Sequence, residues 1–250
     1  MAYRDDADLE FLSQCTDEDL NDLVQCLIYD KDGKTRWTEE LSTSEAYKKY
    51  KPQHSKYWKE IAAEIQCFGG NTFATLARGG KGVLYKEVLC DVCDKLKVNY
   101  NKKSSVDVIE SNLLMTIMTK ALESMSQDEI KELGEGLGVK NVAGLTAKTL
   151  TAAFQAIFRA GGFKSYQLTA IIVNQVLKVL IGRGLSFAAT GTLMRTLSIL
   201  TGPVGWGITG IWTVVDIGST AYRVTIPSVL QVAYLRSKIA NGISDEITFD

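Results

Sequence analysis

The stretch from Ser165 to Gly242 constrains this chain more than any other part of it. It is nearly as apolar as a membrane hairpin, yet Gly202, Gly205, Gly207, Gly210 and Gly218 and scattered arginines interrupt it. Between Arg195 and Asp216 lie twenty residues without a charge, about the length a helix needs to cross the hydrocarbon core of a bilayer. The run is broken at its centre by Gly202-Pro203-Val204-Gly205-Trp206-Gly207, and a proline among glycines ends a single spanning helix. Two readings stay open: membrane contact, or a tightly packed helical hairpin in the core of a soluble fold.

A chain of 250 residues can bury a substantial core. Only Pro52, Pro203 and Pro227 occur as prolines, and helical spacing runs through most of the rest, so the expected class is all-α. We expect a multi-helix bundle with an apolar, glycine-rich C-terminal helical hairpin.

The near-neutral total charge hides a division. Residues 165–244 carry Lys178, Arg183, Arg195, Arg223, Arg236 and Lys238 against Asp216 alone, while the first 164 residues and the tail are net acidic. Basic charge on an apolar segment suits an anionic lipid surface or a membrane protein. Nucleic acid is not expected as a partner, because no dense lysine and arginine patch interleaved with aromatic residues is read in the chain. The polar, acidic start Met1-Ala2-Tyr3-Arg4-Asp5-Asp6 lacks the form of a signal peptide, and five cysteines without a disulfide-framework spacing fit reduced thiols. The expected location is cytoplasmic, with peripheral or conditional insertion in the inner membrane as the further possibility.

Local signals place the helices. Thr16 and Asp19 form a capping box ahead of Leu20, Leu23, Val24, Leu27 and Ile28, and Asp30 to Lys34 reads as a turn. Ser42 with Glu45 offers a second cap, and a helical face from Tyr57 to Phe68 stops at Gly69-Gly70. Further helices are expected over Thr72 to Ala77, Val83 to Leu96, from Ser104 onward, and from Ser126 to near Gly134. Gly134, Gly136 and Gly138 read as a loop, and a helix through Leu150 and Phe158 closes at Gly161-Gly162. The polar segment Asn99 to Ser104 suggests a boundary between an acidic N-terminal helical module, residues 1–100, and a C-terminal region, 101–250. The first module is expected to bind a protein partner.

No catalytic constellation emerges, and neither a cofactor nor a metal is expected. Cys90-Asp91-Val92-Cys93 has the spacing of a zinc or redox pair, but no second pair exists and the segment reads as helical. Gly205 to Gly210 formally matches a dinucleotide fingerprint without the preceding strand or the later acidic residue. Its glycines, with Gly218, suit close helix packing, and Trp206 and Trp212 suit either interface anchors or core aromatics. The candidate membrane or helix-packing residues are thus Gly202, Gly205, Trp206, Gly207, Gly210, Trp212 and Gly218. Arg78-Gly79-Gly80-Lys81-Gly82 is a candidate anion site, set against the plainer reading of a helix-connecting turn. With one histidine, His54, a non-enzymatic protein is the expectation, and an enzyme for a phosphorylated ligand is the remote alternative.

Several blocks resemble the bacterial YaaW family: Leu9-Glu10-Phe11-Leu12 with Cys15, Gly33-Lys34-Thr35-Arg36, Ile65 to Asn71, Gly202-Pro203-Val204-Gly205, and Ser219 to Gln231. That family is grouped remotely with the ubiquinol-cytochrome c chaperones. The resemblance implies an all-helical bacterial protein working beside membrane proteins, and it supplies no catalytic residues. The leading expectation is a non-enzymatic protein that engages a membrane or membrane protein through its C-terminal segment, a membrane-perturbing effector being one version. The alternative is a soluble chaperone-like or scaffold protein with that segment as its core.

Overall fold

In a computed structural model the chain is all-α. The structure describes residues 2–69, 82–136, 139, 141–186, 207–210 and 221–243. Among these no strand occurs, and an isolated bridge joins Tyr29 to Thr35. The helices, in chain order, are α1 (Asp17–Ile28), α2 (Glu45–Tyr50), α3 (Trp58–Gly69), α4 (Tyr85–Lys95), α5 (Val106–Glu123), α6 (Gln127–Gly136), α7 (Ala147–Ala160), α8 (Gly162–Ile181) and α9 (Tyr222–Ala240).

The centre of the fold is the pair α8 and α9, which make the most extensive helix contact among the described residues. Both are apolar nearly all round, and such helices are stable only when covered on every side. Cover comes from α1, α3, α4 and α5 on α9, and from α5 and α7 on α8. Tyr166 and Tyr234 stack across the pair with ring centroids 5.6 Å apart, their hydroxyls 3.2 Å from one another. One apolar cluster therefore runs from Leu9 and Leu12 through Leu113 to Val229, across both halves of the sequence.

The local signals act as their chemistry dictates. Thr16 Oγ1 accepts from the Asp19 amide at 3.2 Å while Asp19 accepts from the Thr16 amide at 3.0 Å, completing the box that starts α1. Asp30 Oδ1 accepts from the amides of Asp32 and Lys34, both at 2.9 Å, and fixes the turn that follows α1. Gly161 (φ +66°) and Gly162 (φ +74°) let α7 pass straight into α8 with no loop between them, a left-handed path that side chains resist.

Three boundaries differ from the sequence expectation. Ser44, not Ser42, caps α2, because Glu39 accepts from the Ser42 amide at 2.8 Å and holds residues Leu41–Thr43 in a separate 3-10 turn. Ser105, not Ser104, precedes α5. Gly134 and Gly136 lie inside α6 instead of in a loop; a Cβ on Gly134 would stand 2.2 Å from Leu145 Cδ2, so Gly134 serves close approach, not termination. The helix expected over Thr72 to Ala77 lies outside the described residues.

Candidate functional site

The residues singled out from the sequence divide between those the structure describes and those it does not. Gly202, Gly205, Trp206, Trp212 and Gly218, with Arg78, Gly79, Gly80 and Lys81, lie outside the described residues. Gly207 begins a helical turn over 207–210, and a Cβ there would meet the Ala121 carbonyl oxygen of α5 at 2.7 Å. Ile208 beside it is fully buried. Around Gly210 the described residues leave open space. Gly82 presses its backbone onto α3, since an added Cβ would lie 2.1 Å from the Gln66 carbonyl carbon, and the next amide, Val83, donates to Gln66 O at 3.1 Å.

The ends of the C-terminal segment are anchored. After α8, the Arg183 guanidinium donates to Gln25 O at 2.8 Å and Ser186 Oγ donates to Asp22 Oδ1 at 2.7 Å, tying the chain to α1. Leu185 N donates to Asn174 Oδ1 at 3.0 Å. Among the described residues no helix is long and apolar enough to cross a membrane.

Below the surface, polar groups join segments that are remote in sequence. Glu110, only 3% exposed, accepts from Arg236 Nε at 2.9 Å and from the Tyr85 hydroxyl at 2.7 Å. Arg236 also donates to Asp8 O at 2.7 Å and lies 4.5 Å from the centroid of the Phe11 ring. Asp6 accepts from the Tyr85 amide at 2.7 Å and from Gln66 Nε2 at 3.2 Å. Burial pushes the Tyr85 hydroxyl up, and burial pushes the Glu110 carboxyl up against the opposing pull of Arg236. This network straps the N-terminal residues across α3, α4 and α9.

Among the described residues several groups suited to covalent or acid–base chemistry are held by the fold. Burial pushes the thiols of Cys15 and Cys93 up to about 12, far from the thiolate needed for nucleophilic or redox work. Cys90 and Cys93 sit on α4 as free thiols. His54 is buried, shares a hydrogen bond with the Tyr57 hydroxyl through Nδ1, and has its ring pushed toward the neutral form by burial. No group of three or more His, Cys, Asp or Glu side chains among the described residues is arranged for a metal ion.

The surface holds a feature that the sequence reading passed over. From Tyr47 to Lys59 the chain reads Tyr-Lys-Lys-Tyr-Lys-Pro-Gln-His-Ser-Lys-Tyr-Trp-Lys, a dense lysine patch interleaved with aromatic residues. It corrects the expectation that no such patch exists. Tyr47 and Tyr57 are buried, Tyr50 and Trp58 are half-buried, and Lys48, Lys49, Lys51, Lys56 and Lys59 are all exposed above them. The ammonium groups of Lys49 and Lys56 stand 4.9 and 5.6 Å from the same Tyr50 ring, Lys51 stands 5.2 Å from Tyr47, and Lys59 stands 5.7 Å from Trp58. Beside this ridge a shallow groove of about 530 Å³ is lined by Glu40, Glu45 and Glu60 together with Lys49 and Tyr50. Deep to it Glu64, 2% exposed, accepts from the Glu40 amide at 3.1 Å. Burial pushes its carboxyl up to about 8.

Comparison with known proteins places this architecture. The ubiquinol-cytochrome C chaperone family model matches residues 53–230, and a domain of unknown function, DUF3944, matches residues 3–37. A UPF0174 protein of Helicobacter pylori strain J99 is 51% identical over 246 residues, covering 98% of this chain and 97% of the relative. A second UPF0174 protein of that strain is 43% identical over 205 residues, 80% of this chain and 98% of the relative. The UPF0174 protein YaaW of Escherichia coli K12 is 32% identical over 244 residues, 95% of this chain and 97% of the relative. No solved structure matches. Similar over nearly its whole length to these relatives, the chain belongs to the UPF0174 family, within the reach of the ubiquinol-cytochrome C chaperone model.

Proposed function

We propose that the protein is a chaperone-like binder, which holds a helical client without transforming it. The match to the ubiquinol-cytochrome C chaperone model over residues 53–230 carries this reading. The state of the reactive groups supports it: the thiols of Cys15 and Cys93 are held protonated by burial, and His54 is tied to Tyr57.

The client surface in this reading lies within the uncharged stretch 196–215 between α8 and α9, with Gly202, Gly205, Trp206, Gly210 and Trp212 in it and Gly218 just beyond, while Gly207 and Ile208 seat the stretch against α5. Its flanks are fixed on one side by the Arg183 and Ser186 bonds to α1 and on the other by the buried length of α9. Small residues there suit close approach to another helix, as in contacts among membrane-protein helices.

The test is a dilution of a polytopic helical membrane protein out of detergent, followed by light scattering. The full-length chain should suppress aggregation at near-stoichiometric amounts, and the paired change Val204→Asp and Trp212→Asp should abolish suppression while far-UV circular dichroism stays unchanged. No suppression by the unaltered chain would sink the chaperone reading. Suppression that survives both changes would move the client surface elsewhere.

A further inference from the structure

We propose that the ridge from Lys48 to Lys59 docks the protein on an anionic bilayer surface, with Trp37 as an interfacial anchor. Five lysines in this run carry no carboxylate within salt-bridge distance among the described residues, although ion pairs form elsewhere on the surface, as between Lys102 and Asp94. Two of them, Lys49 and Lys56, converge on the single ring of Tyr50. Asp17 acts on Lys56 from α1, and Glu40, Glu45 and Glu60 flank Lys49, but none of them forms a close ion pair with the ridge, so five clustered ammonium groups leave a local positive potential that falls when an external anion arrives.

The ridge is also rigid, so docking orders little that is not already ordered. The Ser44 cap fixes the start of α2, with its side chain accepting from the Tyr47 amide at 3.2 Å. Asp17 of α1 accepts from the Ser55 amide at 2.8 Å. Tyr47 and Tyr57 meet edge to face at 5.8 Å, beneath the lysines. The ammonium groups thus stand over aromatic rings on an exposed face of the fold, within reach of an external anion.

Trp37 is 100% exposed, and it lies only four residues before Leu41, which is buried where the following 3-10 turn packs on α2. A fully exposed indole is costly in water and favoured at the level of lipid headgroups. Lysine-rich composition points to lipid over a protein partner, because protein interfaces are depleted in lysine. It also points to lipid over nucleic acid. The rings of Tyr50 and Trp58 are already covered by lysines, so no stacking platform is open on the ridge.

This docking is independent of where a client binds, and its test separates the two. The full-length chain is floated with vesicles of pure phosphatidylcholine and with vesicles of phosphatidylcholine and phosphatidylglycerol mixed in a roughly 7:3 ratio. Binding is expected on the mixed vesicles alone and should fall steeply with added salt. Each lysine near an anionic surface contributes about fivefold in affinity, so the triple variant Lys49→Gln, Lys56→Gln and Lys59→Gln should bind about 100-fold more weakly. Trp37→Phe should remove a blue shift of the tryptophan emission seen when the unaltered chain meets the mixed vesicles. Aggregation suppression without vesicles should be the same in the triple variant, whose melting temperature reports its fold. Failure of the unaltered chain to float, flotation that survives the triple change, or tighter binding to a single-stranded oligonucleotide than to vesicles would each overturn the proposal.

Discussion

Glu110 on α5 and Arg236 on α9 form a buried ion pair across 126 residues of sequence, with 2.9 Å between Oε2 and Nε. The pair is completed by the Tyr85 hydroxyl on one carboxylate oxygen and by the Asp8 carbonyl on the guanidinium. Because the Glu110 carboxylate has left water and Arg236 is only partly exposed, the arrangement is costly to half-remove.

Arg236→Met should therefore destabilise the protein by about 3–5 kcal/mol, since it leaves Glu110 buried beside Tyr85 without a cation. The double change Arg236→Met with Glu110→Leu should recover a large part of that loss. Urea denaturation of the single and double variants measures both. A single variant within about 0.5 kcal/mol of the parent would show that the pair is solvated in solution.

Glu64 predicts a pH dependence. In the unfolded chain its carboxyl titrates near 4.5, and in the fold burial, with Glu39 and Glu40 nearby, pushes it up to about 8. Between those values the native state holds a proton that the unfolded state has released, so stability falls as pH rises. The slope due to this residue approaches about 1.4 kcal/mol per pH unit. Glu64→Gln should flatten the stability profile between pH 5 and 8, read as the difference between variant and parent denaturation midpoints. Parallel profiles would refute the assignment.

Gly82 and Gly207 predict a steric cost. A methyl at either position meets backbone atoms, of Gln66 at 2.1 Å or of Ala121 at 2.7 Å, and backbone cannot swing aside as a side chain can. Gly82→Ala and Gly207→Ala should each lower stability by about 1–3 kcal/mol. Gly144→Ala is the control, because nothing among the described residues lies within 4 Å of the added methyl. Thermal melts of the three variants decide whether these close approaches hold in solution.

Thiol reactivity should follow burial. Cys15 and Cys93 should resist iodoacetamide at pH 8 in the native protein and label only after unfolding, while half-buried Cys67 and Cys90 label first. Mass spectrometry of peptides after timed quenching distinguishes the sites. Fast native labelling of Cys93 would mean that α4 opens readily.

Helix positions were legible where one short-range signal acted alone. The Thr16–Asp19 box and the Asp30 turn are local hydrogen-bond chemistry, so they could be read without knowing the fold. Ser42 misled because its amide is claimed by Glu39 three residues earlier, a competing local bond that the Ser42–Glu45 spacing does not reveal. Gly134 misled because a glycine that ends a helix and one that lets Leu145 approach look identical in sequence.

The candidate site was legible in a different measure. The lysine ridge stood in plain composition, but Pro52 splits it into two short pieces without a helical period, and only the turn around Lys51–Pro52 brings Lys49 and Lys56 onto one ring. Partners such as Glu110 and Arg236, or Asp6 and Tyr85, leave no trace in spacing because the fold alone makes them neighbours.

The Asp19–Lys238 pair, buried at both ends and 2.5 Å long, closes the fold between helices that lie 219 residues apart. Together with Asp8 and Arg236, it means that α1 and the N-terminal strap complete their contacts only once α9 has been synthesised. Throughout most of translation the faces of α1, α3, α4 and α5 that α9 covers in the fold must therefore wait on the ribosome uncovered, although these helices can already pack on one another. A protein proposed to shelter other chains thus passes its own birth in need of the same shelter, and slow or interrupted translation near its end should be the point at which it aggregates or is degraded.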